Sequence, residues 1–423
     1  MTASSDIRTV NDAFFQPITA LVADSPHTRP CPELPDLDFV HLGIHRVLES
    51  SPSGRGFLQE HGLRFARTPS HSNYFGTLRS GRRGQLLGDL HDRLIETVHR
   101  RLPDRLAHIP ELGSYDCFAC DGHWHQAAAH DPRHEGVKMP VGHVYSLNLR
   151  DHALRHLAAA EGLHEHDMSV LKRVKPKGLR QGVPKGRRVL IVYDKAGIDF
   201  TYWNRCRHEC AVYFLSRVKE DMVYDWISDR DWNRDDPCNH GVQSDRRVMT
   251  RDGIALRIVT YLDPVGGETY EFLTNEPDLP PGVIVELYRR RWEAEKVFDE
   301  IKNKLGERKA WGTSQETRCA QARLVAITHN LLVLYEHHLE VERHVHNTSE
   351  DARRARRTAL AEQQCLRSGR PLSTLVCGAR RATQRSVKFI RWLRQSLCAQ
   401  FTEATAVPHL QSSYAFQLSL IHI

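Results

Sequence analysis

Between residues 281 and 306 the stretch PGVIVELYRRRWEAEKVFDEIKNKLG sets Tyr288, Arg291, Glu295 and Lys302 three, four and seven residues apart. At about 100° per residue, an α-helix gathers these four within an arc of about 60°. One face then carries a phenol, a guanidinium, a carboxylate and an ammonium. A carboxylate is a hard oxygen ligand for a divalent cation, and the other three groups donate hydrogen bonds to phosphate oxygens. Such a face is unsuited to a core. The competing reading is a solvated charged face laced by i,i+4 pairs.

A second candidate is Cys117-x2-Cys120 followed by His123 and His125, with Cys206-x3-Cys210 and His208 further on. Cys and His at short spacing suggest zinc. On a strand, however, residues three apart point to opposite faces, which separates Cys117 from Cys120. His123 and His125 fall on the same side of that strand as Asp121; with 26 histidines in the chain, packed or solvated rings are the plainer reading.

The chain has 423 residues, a net charge of +7, 40% hydrophobic and 26% charged residues, which fits a soluble protein with true cores and excludes a disordered one. No apolar run approaches the roughly 20 residues of a membrane span, no leader pattern opens the chain, and the ten irregularly spaced cysteines read as reduced thiols. A cytosolic location follows. The charge is concentrated: Arg353 to Gln395 holds twelve Lys/Arg against the single acid Glu362, and Lys172 to Arg188 holds eight with no acid. Localised positive charge is the footprint of a polyanion partner, because each neutralised phosphate releases counterions. A solvated surface is the alternative for either run alone.

Residues 1–111 read as a helical region, with apolar positions in LLGDLHDRLIETVHRRL at helical spacing and Arg64, Arg67, Arg79, Arg82 and Arg83 scattered along it. DNA binding and a purely structural cap are both compatible with it. From about 112 the pattern turns to strands: YDCFACDGHWHQ, GHVYSLNLR and HALRHLAAA. A helix follows in HEHDMSVLKRV, then a buried strand in Val189 to Tyr193, a helix in DFTYWNRCRHE and a strand in AVYFLSRVK. Residues 220–275 read as a β-rich insertion. Pro280 and Pro281 open the strong helix and Gly306 ends it. This order belongs to an α/β domain on a mixed sheet, spanning residues 112–340. A basic helical region, 341–417, follows. The last six residues, Leu418 to Ile423, read either as the translation of a sequencing-adapter end or as a short apolar tail, and are set aside.

Y-x2-R-x3-E-x6-K, here Tyr288-RR-Arg291-WEA-Glu295-KVFDEI-Lys302, resembles the signature of the IS-four group of insertion-sequence transposases. The flanking YEFLTNEPDLP and RRWEAEKVFDEIKNKLG are similar to that family too, with Ala294 where the family often has Ile. The resemblance covers about residues 112–340 and implies an RNase H-like fold, with two aspartates upstream of the glutamate. Asp121 in FACDGHWH matches the first, with Asp116 as its rival; Asp194 in VLIVYDKAGID matches the second, with Asp199 as its rival. Asp199 lies at a helix start, where a capping role is the simpler reading.

The resemblance further implies a DDE transposase: a DNA endonuclease and strand-transfer enzyme whose Asp121, Asp194 and Glu295 bind Mg²⁺, with Mn²⁺ able to substitute. Two such ions suit in-line attack on a phosphodiester, because charge develops on both the entering and leaving oxygens. Tyr288, Arg291 and Lys302 are then DNA contacts, and Trp226, Trp232 and Tyr270 are candidates for stacking on a base. The implied partners are double-stranded DNA, as transposon-end inverted repeats and as target, and a second copy of the chain in a paired-end complex. No membrane is involved, and the place of action is the bacterial nucleoid. Two other functions fit the same residues: a catalytically inactive DNA-binding protein, and an RNase H-like nuclease without strand transfer.

Overall fold

The computed structural model describes residues 8–49, 53–64, 68–162, 165–305, 308–375 and 387–415. Gly306 and residues 418–423 lie outside the described residues. Five helices come first: α1 (Val10–Ala23), α2 (Asp36–Leu48), α3 (Gly54–Arg64), α4 (His71–Thr77) and α5 (Gly81–Arg101). Leu86, Leu87, Leu90, Leu94 and Val98 of α5 are buried at the expected helical spacing, and the Ser80 side chain caps its first turn. Arg82 and Arg83 turn onto Asp36 of α2, at 2.6 and 3.1 Å, and tie the two helices together.

The sheet begins with β1 (Tyr115–His125), β2 (Val141–Asn148) and β3 (Leu154–Ala159), an antiparallel set. After α6 (Asp167–Arg173) and α7 (Pro176–Leu179), β4 (Arg188–Val192) pairs parallel to β1. Then α8 (Phe200–Cys210) leads to β5 (Val212–Arg217), parallel to β4. Every residue of β4 beyond Arg188 is buried, as a strand covered on both faces requires. The 3-2-1-4-5 strand order, with β2 the antiparallel neighbour of β1, is the RNase H-like arrangement that the resemblance implied.

The β-rich segment is an antiparallel meander: β6 (Tyr224–Asp229), β7 (Val242–Thr250), β8 (Ala255–Leu262) and β9 (Thr269–Thr274). It does not form a separate layer. β9 pairs with β5, so the sheet runs through nine strands, β3-β2-β1-β4-β5-β9-β8-β7-β6.

One face of the sheet is covered by α9 (Pro281–Asn303) and α10 (Gln315–Glu342), backed by α1, α2 and α5; the other is covered by α6, α7 and α8. Seventeen positions of α10 are buried, and its polar ones are bonded: Asn330 accepts from the Leu154 amide at 2.8 Å and donates to its carbonyl at 3.0 Å. The chain ends in α11 (Thr348–Ser368), α12 (Val387–Ala399) and α13 (Glu403–Ala415). Among the described residues no helix is long and apolar enough to cross a membrane.

Candidate functional site

Strand alternation decides which aspartates can meet. β1 sends Tyr115, Cys117 and Ala119 into the core under α5, α9 and α10, and Phe118 and Cys120 into the core under α8. Asp121 has the parity of the first set. On β4, Leu190 and Val192 share that face while Val189 and Ile191 take the other, so Asp194 has the parity that faces α9. The parallel register pairs Ala119 with Val192, and Asp121 and Asp194 each lie two residues further on. The two carboxylates therefore come level at the C-terminal ends of adjacent strands, where open α/β sheets place their sites. Asp121 accepts from the Gly122 amide at 2.9 Å, and Asp194 from the Lys195 amide at 2.7 Å.

Above them, the upper face of α9 becomes more exposed toward its C-terminus. Tyr288 is 5% exposed and packs on Phe272 of β9, Arg291 is 7% exposed, the Glu295 side chain is 35% exposed, and Lys302 stands in solvent. Arg291 joins the two elements: its guanidinium lies 2.7 Å from Glu295 and 3.8 Å from Asp121, and 5.6 Å from the Tyr288 ring. Its charge also acts on, and is favoured by, Asp194. Burial pushes the Asp121 carboxyl up to about 6, although Arg291 and the Gly122 amide favour its ionised form.

These donors fit a divalent cation in kind, being hard oxygens held in a partly desolvated cluster. Among the described residues no three His, Cys, Asp or Glu side chains converge closely enough to hold a metal ion as they stand. The cation shared by Asp121 and Glu295 in this arrangement is the guanidinium of Arg291.

The expectation that a charged face marks the functional side of α9 does not hold as a rule. The underside of α9 buries Glu286, Arg290, Glu293 and Glu300 more deeply than Glu295. They are paired within the protein: Arg290 binds Glu286 at 2.9 Å, Glu293 binds His152 at 2.5 Å, and Glu300 lies 3.8 Å from His329. Burial raises the Glu293 carboxyl, but His152, together with the charges of Arg290 and Arg105, more than offsets it, so its net shift is downward.

Asp116 sits five residues before Asp121, hence on the opposite face and further down the strand. It is ion-paired to Arg187 at 2.6 Å and lines a cavity of about 770 Å³ with Phe118, Arg150 and Gln181. Asp199 caps α8 through the Tyr202 amide at 2.8 Å. His123 and His125 are buried; His123 stacks on Phe298 of α9 with ring centroids 5.7 Å apart, and His125 on His143 at 5.2 Å. Cys117 and Cys120 enter different cores and cannot share one ion.

The basic run 172–188 is largely consumed inside the chain. Lys172 pairs with Asp199, Arg173 with Glu165, Arg187 with Asp116 and Arg188 with Asp278, while Arg180 donates to the carbonyls of Cys210, Pro184 and Arg187. Of the stacking candidates, Trp226 is 62% exposed on the edge strand β6. Trp232 carries Arg234 over its ring at 4.2 Å, and Tyr270 carries Arg217 at 5.1 Å.

One residue near the carboxylates had no sequence signal. Asp167, the first residue of α6, accepts from Trp124 Nε1 at 2.9 Å, and a Cβ added to Gly122 would lie 2.2 Å from its carboxyl carbon. Burial, and the nearby charge of Asp194, raise its pKa. An acid in a first helical turn is common enough to hide it. Arg217 closes β5, and its charge acts on Tyr288.

A family model described as the transposase DDE domain matches residues 166–331, which hold Asp194, Tyr288, Arg291, Glu295 and Lys302 but begin after Asp121. No curated protein matches the chain. Among solved structures, the cryo-EM structure of a piggyBac transposase synaptic complex with hairpin DNA is similar at a TM-score of 0.36 and 10% identity, over 100% of this chain and 88% of that one. That likeness is too distant to bear on the chemistry.

Proposed function

We propose that the chain is a DDE transposase of the IS-four kind, which cuts DNA at the ends of its element and joins those ends to a target. The observation that carries the reading is the common parity and level register of Asp121 and Asp194 beneath Glu295, in a chain that matches a transposase DDE domain. In this reading Asp121, Asp194 and Glu295 hold divalent cations, Mg²⁺ or Mn²⁺. Such ions, when bound, activate the attacking oxygen and stabilise the leaving one. Tyr288 orients Arg291 from its packed position on Phe272, Arg291 turns from the carboxylates to a phosphate oxygen, and Lys302 meets the DNA further along α9. Residues 112–340 are the catalytic domain with its insertion at about 220–275, residues 1–111 contribute DNA contacts, and two copies act on paired ends.

The test is cleavage of DNA carrying the element's terminal repeats, with purified full-length chain in Mg²⁺ or Mn²⁺. Breaks at the repeat ends and joined products are expected, and Glu295→Gln should abolish both while leaving DNA binding in place. Absence of end-specific breaks, or equal cleavage by Glu295→Gln, would refute the reading. Metal-dependent nicks at random sites would instead identify a nuclease without strand transfer.

A further inference from the structure

We infer that the outward face of α11 is a docking surface for the phosphate backbone of duplex DNA, a partner whose presence rests on the proposed function. α11 is a 21-residue helix in which Cys365 is the one buried residue. So little apolar burial does not explain why the helix is there. It is well made locally: the Asn347 side chain caps it, Gly369 ends it at φ 63°, and its middle is Ala, Arg, Leu, Glu and Gln.

Both its ends are tethered. Before it, the His346 amide and carbonyl bond the Gln411 side chain of α13 at 3.0 and 3.2 Å; near its C-terminus, Gln364 Nε2 donates to the Val265 carbonyl at 2.7 Å. Val265 lies in the β8–β9 turn. β1, β4 and β5 run parallel and end at the Asp121–Asp194 edge, and β9 runs antiparallel to β5, so the β8–β9 turn lies at that same edge of the sheet. The C-terminal part of α11 is thus pinned to the end of the sheet that carries the carboxylates.

The arrangement of charge points to the occupant. At about 100° per residue, Arg353, Arg356, Arg357 and Arg367 fall within an arc of about 100°, extending about 21 Å along the helix, an arc that near its C-terminal end also holds Gln364, the residue bonded to the Val265 carbonyl. The acids Glu350, Asp351 and Glu362 fall outside that arc. Beyond the first turn, the less exposed positions are Arg354, Ala361 and Cys365, and all three lie outside that arc. Arg353 and Arg357 share Glu350, whereas Arg356 and Arg367 make no hydrogen bond or ion pair among the described residues. The arc holds one apolar residue, Leu360, too little for a protein–protein core, while four guanidiniums in a row match a line of phosphates.

The experiment measures binding of full-length chain to a fluorescent duplex of unrelated sequence across a NaCl series, for the natural chain and for Arg356→Gln/Arg367→Gln. Each lost phosphate contact should reduce the slope of log K against log salt by about 0.9, so the double variant should lose about 2, with an unchanged Tm. Equal slopes overturn the inference, as does failure of the natural chain to bind duplex DNA at low salt. A natural dimer that becomes monomeric in the variant also overturns it, in favour of a face between two copies. The outcome is separable from the catalytic proposal, because the slopes need no cleavage and Glu295→Gln should keep the natural slope.

Discussion

Arg291 occupies the position between Asp121 and Glu295 that a cation favours, so replacing it by Gln tests the logic of the whole cluster. With an effective dielectric of about 20, a guanidinium at 2.7 Å and another contact at 3.8 Å are worth about 6 and 4 kcal/mol of bare attraction. Most of that is offset by taking Arg291 out of water, and the Glu295 side chain, 35% exposed, is screened. A net loss of about 2 kcal/mol in the metal-free protein remains, or a fall in Tm of about 3 °C in EDTA. The same variant has no guanidinium to displace when a divalent cation arrives. About 2 kcal/mol of opposition removed corresponds to roughly 30-fold tighter binding of Mn²⁺ without DNA. Calorimetric titration with Mn²⁺, and melting with and without it, read both effects, and Mn²⁺ should raise the Tm of the variant more than that of the natural chain. Cleavage should nevertheless fall, because the phosphate contact is gone. A variant as stable as the natural chain in EDTA, or one that binds Mn²⁺ no more tightly, would show that Arg291 is not a stand-in cation.

Two further outcomes follow from pairs elsewhere in the fold. Asp116→Asn should leave end cleavage intact and cost about 1 kcal/mol through the weakened Arg187 pair; loss of cleavage there with Asp121→Asn still active would reverse the choice between the two aspartates. Glu403 is buried where α13 meets α10, and burial raises its carboxyl, but His338 and Arg343 hold it down to about 2. A lowered carboxylate pKa stabilises the fold fully above its unfolded value near 4.5 and ceases to do so as pH falls through about 2. Glu403→Gln should therefore be about 3 kcal/mol less stable than the natural chain in urea at pH 7, and the gap should narrow steadily below pH 4.5; an equal gap at pH 7 and pH 2.5 would exclude the pair as its source.

Local patterns carried much of the fold in the sequence itself. The apolar run before Asp194 reads as a strand covered on both sides and is one, and the spacing in α5 and the prolines before α9 mark helices that form. The Asp199 cap was legible for the same reason, since a cap depends on neighbours three residues away. These features rest on short-range geometry, which periodicity records directly. Other features depend on long-range pairing. The basic run 172–188 looks like a polyanion footprint until Asp116, Asp199 and Asp278, all distant or outside it in the chain, are brought against it. The four charged residues under α9 look no different in sequence from Tyr288, Arg291, Glu295 and Lys302; Glu286 and Arg290 pair within the helix, but His152 and His329, the partners of Glu293 and Glu300, come from other elements. Asp116 and Asp121 are both acids on one strand, and their difference of five residues already implies opposite faces. Which face looks toward α9, and that Asp194 comes level with Asp121, is set by the register of β1 on β4 and by the helices that cover each side. The tertiary structure decides those two facts because a carboxylate's chemistry depends on charges a few ångströms away, while its sequence neighbours specify only the strand it stands on.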